Sequence, residues 1–131
     1  MRDIFLPLVQ DSDTGVFAVS QELPYDVDGI ALYVKNPRRI YVSMATTTQE
    51  ELYYTLDNQN IVIETTEITL YFTVEAKTVA GYDEAITNLK TLRDHADIKS
   101  LGYARRRVNV SSRYESNLLI TELTYQFSKL L

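Results

Sequence analysis

The sequence predicts an α+β fold: a mainly antiparallel sheet with one principal helix, at about residues 82–96, packed on one face, and a short N-terminal helix or arm. One run, Ile68–Ala76, alternates apolar and polar residues as a half-buried strand does. The segment after it places apolar residues at helical spacing. No linker, repeat or low-complexity segment divides the 131 residues, so residues 1–131 are expected to form a single domain.

The N-terminal half contains short apolar runs. Ile4–Val9 fits one helical turn or an arm, and Gly15–Ser20 fits a strand or a docking segment. Two β-rich runs follow, Ile30–Lys35 and Arg39–Met44, separated by the turn pair Asn36-Pro37. This arrangement predicts a β-hairpin.

The central segment favours strands. Gln49–Leu56 fits a further strand or a short helix, and the run Tyr53–Thr55 favours the strand because aromatic and β-branched residues pack well in sheets. Asp57–Asn60 is then expected to be a turn that leads into Ile61–Ile63.

A change of parity separates Ile61 and Ile63 from Ile68. Side chains of odd and even number lie on opposite faces of a regular strand. Glu64–Glu67 is therefore expected to contain a bulge, a turn or a switch of face, and two strands are expected rather than one long strand.

The C-terminal half predicts a helix followed by two strands. Asp83 and Glu84 suit the first turn of a helix because the helix dipole favours acids there. Apolar residues then recur at helical spacing: Ile86, Leu89, Leu92 and Ala96. Tyr103–Val110 and Leu119–Phe127 alternate as strands, and the polar segment Ser111–Asn117 connects them.

The charged residues are unevenly distributed along the chain, whose net charge is −5. Residues 40–76 contain acids but no Lys or Arg, and residues 98–114 contain basic residues but no acid. These charges cancel within the chain if the two segments pair as strands. Alternatively, the basic segment of one copy contacts the acidic segment of the next, head to tail, and closes a ring.

The interface candidates come from these two segments: Arg105, Arg106, Arg107 and Arg113 on the basic side, and Glu50, Glu51 and Glu64 on the acidic side. Guanidinium groups suit interface ion pairs. Successive strand residues face opposite sides, so Arg106 cannot point with Arg105 and Arg107 and needs a partner of its own. The alternative is a strand end whose charges are hydrated. The ten tyrosines are typical of contact surfaces and equally of β-rich domains.

No catalytic, metal-binding or cofactor-binding residue is expected. The chain has no cysteine, which excludes thiolate ligands and thiol nucleophiles. Its only histidine, His95, is placed near the C-terminus of the predicted helix, where a cationic imidazole interacts favourably with the helix dipole. Phosphate-binding and hydrolase motifs are also missing from the sequence. We therefore expect a protein that is not an enzyme.

Nucleic-acid binding is an alternative, because the arginines with Tyr103 and Tyr114 combine cations with stacking surfaces. The sequence pI of about 4.8 argues against it. The first apolar run is too short for a signal peptide, and no run approaches the ~20 apolar residues needed to cross a membrane. A soluble cytoplasmic protein without a membrane partner is expected.

Four segments together carry a family resemblance: Ile68–Glu75 as strand, Tyr82–Ala96 as helix, Gly102–Arg107 entering a strand, and the closing Leu118–Phe127. Their order resembles the C-terminal half of tail terminator proteins of long-tailed bacteriophages, the gpU-like minor tail proteins. The resemblance covers about half of the chain. The first half differs, because that family opens with a longer amphipathic helix than the residues around Pro7 allow.

The resemblance implies a homohexameric ring that caps the tail tube, stops its polymerisation and offers the surface on which the head docks. It implies a tail tube protein and a head-proximal neck or connector protein as partners, with DNA passing through the lumen without specific binding. The location would be the head-proximal end of the virion tail, after assembly in the host cytoplasm. We expect residues 50–67 at or near the lumen or the subunit seam. Another neck, head–tail joining or tail-completion protein is the alternative within this class.

Overall fold

The computed structural model describes residues 1–15, 17–54, 59–77 and 80–131. The helices are α1 (Arg2–Asp11), α2 (Leu32–Lys35), α3 (Tyr82–Lys90) and α4 (Ala96–Lys99), with a 3-10 turn at Thr91–Asp94. The strands are β1 (Ala18–Val19), β2 (Arg39–Val42), β3 (Thr46–Tyr54), β4 (Gln59–Glu75), β5 (Arg105–Glu115) and β6 (Leu118–Leu130). The predicted α+β class, with its principal helical segment and its N-terminal helix, is confirmed.

The six strands form one mixed sheet in the order β1-β2-β4-β6-β5, and β3 pairs with β4 beyond the end of β2. Every pairing is antiparallel except that of β1 with β2. Strand β4 is central because it pairs with β6 on one side and with β2 and β3 on the other. Among the strands that the structure describes, β5 therefore forms one edge of the sheet, and β1 and β3 form the opposite edge.

The main core lies between one face of the sheet and the helices. The even-numbered residues Ile68, Leu70, Phe72 and Val74 of β4 are buried there, as the alternation predicted. Residues of α1, α3 and β6 are also buried in this core, among them Phe5, Val9, Leu89, Leu123, Tyr125 and Phe127. The rings of Phe5 and Tyr125 lie 4.8 Å apart, edge to face. Burying each such side chain contributes about 1.5–3 kcal/mol, which fixes α1 on the sheet despite Pro7 within the helix.

The predicted hairpin between Ile30–Lys35 and Arg39–Met44 is wrong. Residues Leu32–Lys35 form the helical turn α2, and only Arg39–Val42 is a strand. The reason is a second, smaller core on the other face of the sheet, in which the buried Tyr33 packs with Tyr41 and Ile120. This tertiary contact outweighs the β propensity of the run.

The prediction of two strands around Glu64–Glu67 is also wrong. Strand β4 runs without interruption, and its register with β6 is constant from Ile63↔Leu130 to Glu75↔Leu118, so this stretch contains no bulge. Ile63 lies on the face opposite to Ile68 because side chains alternate between faces along the unbroken strand. The prediction of a strand at Gln49–Leu56 is confirmed as far as Tyr54.

The prediction of a turn at Asp57–Asn60 is wrong for Gln59 and Asn60, which already belong to β4. Positions 57 and 58 lie outside the described residues.

The predicted helix at 82–96 is divided into α3, the 3-10 turn and α4. Ile86, Leu89 and Leu92 are buried as predicted, whereas Ala96 is exposed and Ile98 takes its place in the core. His95 does not end the helix. Its extended backbone precedes α4, and its Nδ1 accepts a hydrogen bond from the Asp97 N–H at 3.1 Å.

Candidate functional site

The three consecutive arginines lie at the first residues of the edge strand β5. Arg106 points to the helix side of the sheet, where its Nη1 donates to the Tyr103 carbonyl at 2.6 Å and its Nε lies 3.4 Å from Oδ1 of Asp94. Its side chain is only 22% exposed. The expectation that Arg106 faces away from its neighbours and has its own partner is confirmed.

Arg113 is also held within the chain. Its Nη1 lies 3.2 Å from Oε1 of Glu122, and its Nε lies 3.7 Å from Glu115. The hydrogen bond with Glu122 raises the pKa of the Arg113 guanidinium. Arg113 therefore has acidic partners already, although half of its side chain is exposed.

Part of the acidic segment is neutralised in the same way. Glu64 lies 3.5 Å from Nζ of Lys129 on the helix side of the sheet. The Lys129 ammonium is also 4.9 Å from the centre of the Tyr103 ring, a cation–π contact. Glu51 is exposed and lies on the same side of the sheet, paired in register with Val62. Glu64 is thus neutralised within the chain, but by Lys129, which lies outside the basic segment 98–114. In the described sheet β6 separates that segment from β4 and β3, so the two charged segments do not pair as strands.

Glu50, Arg105 and Arg107 differ from these residues. All three are exposed, and none of their side chains has an ion-pair or hydrogen-bond partner in the part of the chain that the structure describes. They lie on the face of the sheet away from the main core, which we call the open face and define by the odd-numbered residues of β4 and β5.

The register of the sheet places these charges at one end of the open face. Glu50 is level with Ile63 and Leu130, and Arg105 is level with Ser128, Thr65 and Thr48. Glu50 and Arg105 therefore lie in neighbouring rows but on opposite edges of the sheet. Three strand spacings separate them, about 14 Å, which is too far for an ion pair.

A groove of about 410 Å³ crosses the open face between these charges. Glu50 and Arg105 are on its walls, and its lining includes Ile63, Thr65, Ser128 and Leu130. A second depression of about 230 Å³ adjoins it beside Arg107 and Gln126. The surface thus offers unpaired charges of both signs, hydroxyl groups and a short apolar stretch.

The tyrosines divide between core and surface. Tyr33, Tyr41, Tyr103 and Tyr125 are buried, so they serve the fold, whereas Tyr114 is 73% exposed. The Tyr25 hydroxyl lies 3.2 Å from that of Tyr33. This hydrogen bond, together with partial burial, raises the pKa of Tyr25 to about 12.

Sequence reasoning missed a second surface, the loop before α2. Exposed apolar side chains cluster in this loop: Leu23, Tyr25, Val27 and Ile30. Val27 is fully exposed, the acids Asp26 and Asp28 lie between these residues, and Glu22 precedes them. The signal that could have indicated it is the interspersion of acidic and apolar residues at 22–30.

The described residues contain no group of three or more His, Asp or Glu side chains that could hold a metal ion. Within the same residues, every helix is too short or too polar to cross a lipid bilayer.

No protein-family model and no curated protein sequence matches the chain.

Proposed function

We propose that the chain is a structural virion protein, a tail terminator that assembles head to tail into a ring at the head-proximal end of a bacteriophage tail. The observation that carries this proposal is the position of Glu50 on one edge of the sheet and of Arg105 and Arg107 on the other, on the same face and without partners among the described residues. The order of elements in the C-terminal half supports the choice of family.

The charge arrangement favours a ring over a two-fold dimer. An isologous dimer brings identical surfaces together, so it would place Arg105 and Arg107 near their own copies or near other residues of the basic edge. A heterologous contact instead brings the basic edge of one copy to the acidic edge of the next. Repeating this contact closes a ring when the rotation between copies divides a full turn.

The proposed ring caps the tail tube, stops its growth and presents a surface to the head. Its partners are a tail tube protein and a head-proximal neck or connector protein, and DNA passes through its lumen. A net charge of −5 suits that passage, because an acidic protein does not retain phosphates. The exposed loop around Val27 is available for one of the two partners.

Nucleic-acid binding by the open face is the second candidate. Arg105 and Arg107 lie beside Thr65, Ser128 and Gln126, which can donate hydrogen bonds to phosphate. However, Tyr103 is buried, so it is not available to stack on a base. Tyr114 is exposed, but it is an even-numbered residue of β5 and lies on the face opposite to Arg105 and Arg107. This candidate therefore rests on the two arginines without Tyr103 or Tyr114 beside them.

The test is the mass of the purified protein by light scattering at low and at high salt. We expect a hexamer of the 15.1 kDa chain at low salt and a smaller species at high salt, because salt screens exposed charges. A monomer in both conditions contradicts the proposal. Titration of the same samples with labelled single-stranded DNA tests the second candidate, which requires binding that weakens steeply with salt.

A further inference from the structure

We propose that neighbouring copies join their sheets, with β5 of one copy pairing antiparallel with β3 of the next. This inference rests on the proposed head-to-tail assembly and adds its contact mode. The ring would then contain one sheet that continues from subunit to subunit, and backbone hydrogen bonds would supplement the ion pairs.

The free edge of β5 supplies the first part of the argument. The two-residue turn Ser116-Asn117 joins β5 to β6, and Ser116 has a φ of 56°. The pair that flanks such a turn, Glu115 and Leu118, is hydrogen bonded, so the odd-numbered residues of β5 direct their N–H and C=O groups to β6. The even-numbered residues direct theirs outward: Arg106, Val108, Val110, Ser112 and Tyr114. No described strand pairs with that side of β5.

The strand directions supply the second part. The pairings β3–β4, β4–β6 and β6–β5 are all antiparallel, so β5 runs opposite to β3. A neighbour related by rotation about an axis along the strands presents its β3 antiparallel to β5 with the open face on the same side. Strand β3 has nine residues, and in the described chain it pairs only with β4.

The charges select the register. Within one chain, Thr48 is level with Arg105, and Glu50 lies two residues further along β3. A stagger of two residues between copies brings Glu50 of the neighbour opposite Arg105, Thr48 opposite Arg107, and Thr46 opposite Asn109. An even stagger keeps the faces matched, and closure of a sheet around a ring requires some stagger.

Disulfide cross-linking tests this register, because the native chain has no cysteine. The test variant carries Asn109→Cys and Thr46→Cys, both at exposed positions. Within one chain the two positions are three strand spacings apart, about 14 Å, beyond the reach of a disulfide. Mild oxidation is therefore expected to give a ladder of covalent multimers up to the ring size. A matched control carries Ser111→Cys with Thr46→Cys, which are offset by two residues, and is expected to cross-link at least about tenfold less.

Each outcome has a defined meaning. A ring mass by light scattering without the ladder overturns the sheet pairing but leaves the proposed function intact. A monomeric mass overturns both. Cross-linked dimers of the single variant Asn109→Cys indicate two-fold pairing of β5 with itself and overturn the inference. A ladder from the control pair alone overturns the stated register.

A backbone test is independent of the cysteines. In the stated register Val108 of one copy lies opposite Thr47 of the next, so Val108→Pro removes an outward N–H from the pairing between copies without breaking the pairing with β6, and proline is tolerated on edge strands. We expect it to weaken association at least about tenfold, whereas Val108→Thr, which keeps the N–H, leaves association unchanged. Equal association of the two variants, each checked for native circular dichroism, overturns backbone pairing at this position.

Discussion

The guanidinium Nε of Arg106 lies 3.4 Å from Oδ1 of Asp94, and this contact links the beginning of β5 to the 3-10 turn of the helical segment. The adjacent Arg107 points to the open face and has no partner among the described residues. Two neighbouring arginines thus differ in role, because successive strand residues alternate between faces.

Arg106→Gln is expected to lower the free energy of unfolding by about 1–2 kcal/mol, since it removes hydrogen bonds from a largely buried charged group. Arg107→Gln, the matched control, is expected to change it by less than about 0.5 kcal/mol. Urea denaturation of both variants measures the difference. Equal effects would contradict the separate roles.

Charge reversal tests the proposed contact between Glu50 of one copy and Arg105 and Arg107 of the next. Arg105→Glu with Arg107→Glu is expected to weaken self-association at least about tenfold, and Glu50→Arg should act in the same direction. Combining Glu50→Arg with Arg105→Glu restores complementary signs and should recover part of the lost association. Light scattering against concentration provides the measurement.

The matched control for the double reversal is Lys35→Glu with Lys90→Glu, which changes the net charge equally at exposed positions on α2 and α3. If this control weakens association as much as the arginine variant does, the change in net charge causes the weakening, and the loss of the contact between Glu50 and the arginines does not.

Thr73 offers a stabilising substitution. Its side chain is fully buried, and its Oγ1 has no hydrogen-bond partner in the described structure. Thr73→Val is expected to raise the free energy of unfolding by about 1 kcal/mol, because it replaces an unsatisfied hydroxyl with a methyl group of similar size. Thr121→Val should have the opposite effect, since the Thr121 hydroxyl lies 2.7 Å from that of Tyr82. Destabilisation by Thr73→Val would show that its hydroxyl is satisfied in solution.

Tyr125 is expected to lower the free energy of unfolding as the pH rises above 10. Its hydroxyl donates to the Leu89 carbonyl, and burial raises its pKa above the ordinary value of 10.0. Because the folded pKa is the higher one, this contribution is complete below pH 10 and declines as the pH rises above 10. Tyr125→Phe is expected to cost about 1 kcal/mol at pH 7 through the lost hydrogen bond. It should also show a smaller loss of stability than the native chain between pH 10 and 11.

Unfolding by urea at pH 7, 9, 10 and 11 tests this prediction. Tyr25 contributes a decline in the same direction, because its folded pKa is about 12, so the comparison is between the slopes of the variant and the native chain. Parallel slopes above pH 10 would contradict the role of Tyr125.

Local patterns were enough to predict the elements that bury one face. The alternation in Ile68–Ala76 and the spacing of Ile86, Leu89 and Leu92 predicted the C-terminal part of β4 and the buried positions of the helical segment that packs on it. Both follow from periods of two and 3.6 residues, which depend only on neighbours along the chain. The opposite orientation of Arg106 and Arg107 followed from the same rule.

Tertiary contacts decided the rest. The helical turn α2 depends on Tyr33 stacking on Tyr71, which is distant in sequence, so no local pattern indicated it. The position of each charge relative to the others depends on strand order and register. Glu64 forms an ion pair with Lys129 because β4 pairs with β6. Glu50 and Arg105 are separated by the strands β4 and β6. Residue types and periodicity are local properties of the chain, but which charges remain unpaired depends on which strands become neighbours, and only the folded sheet determines that.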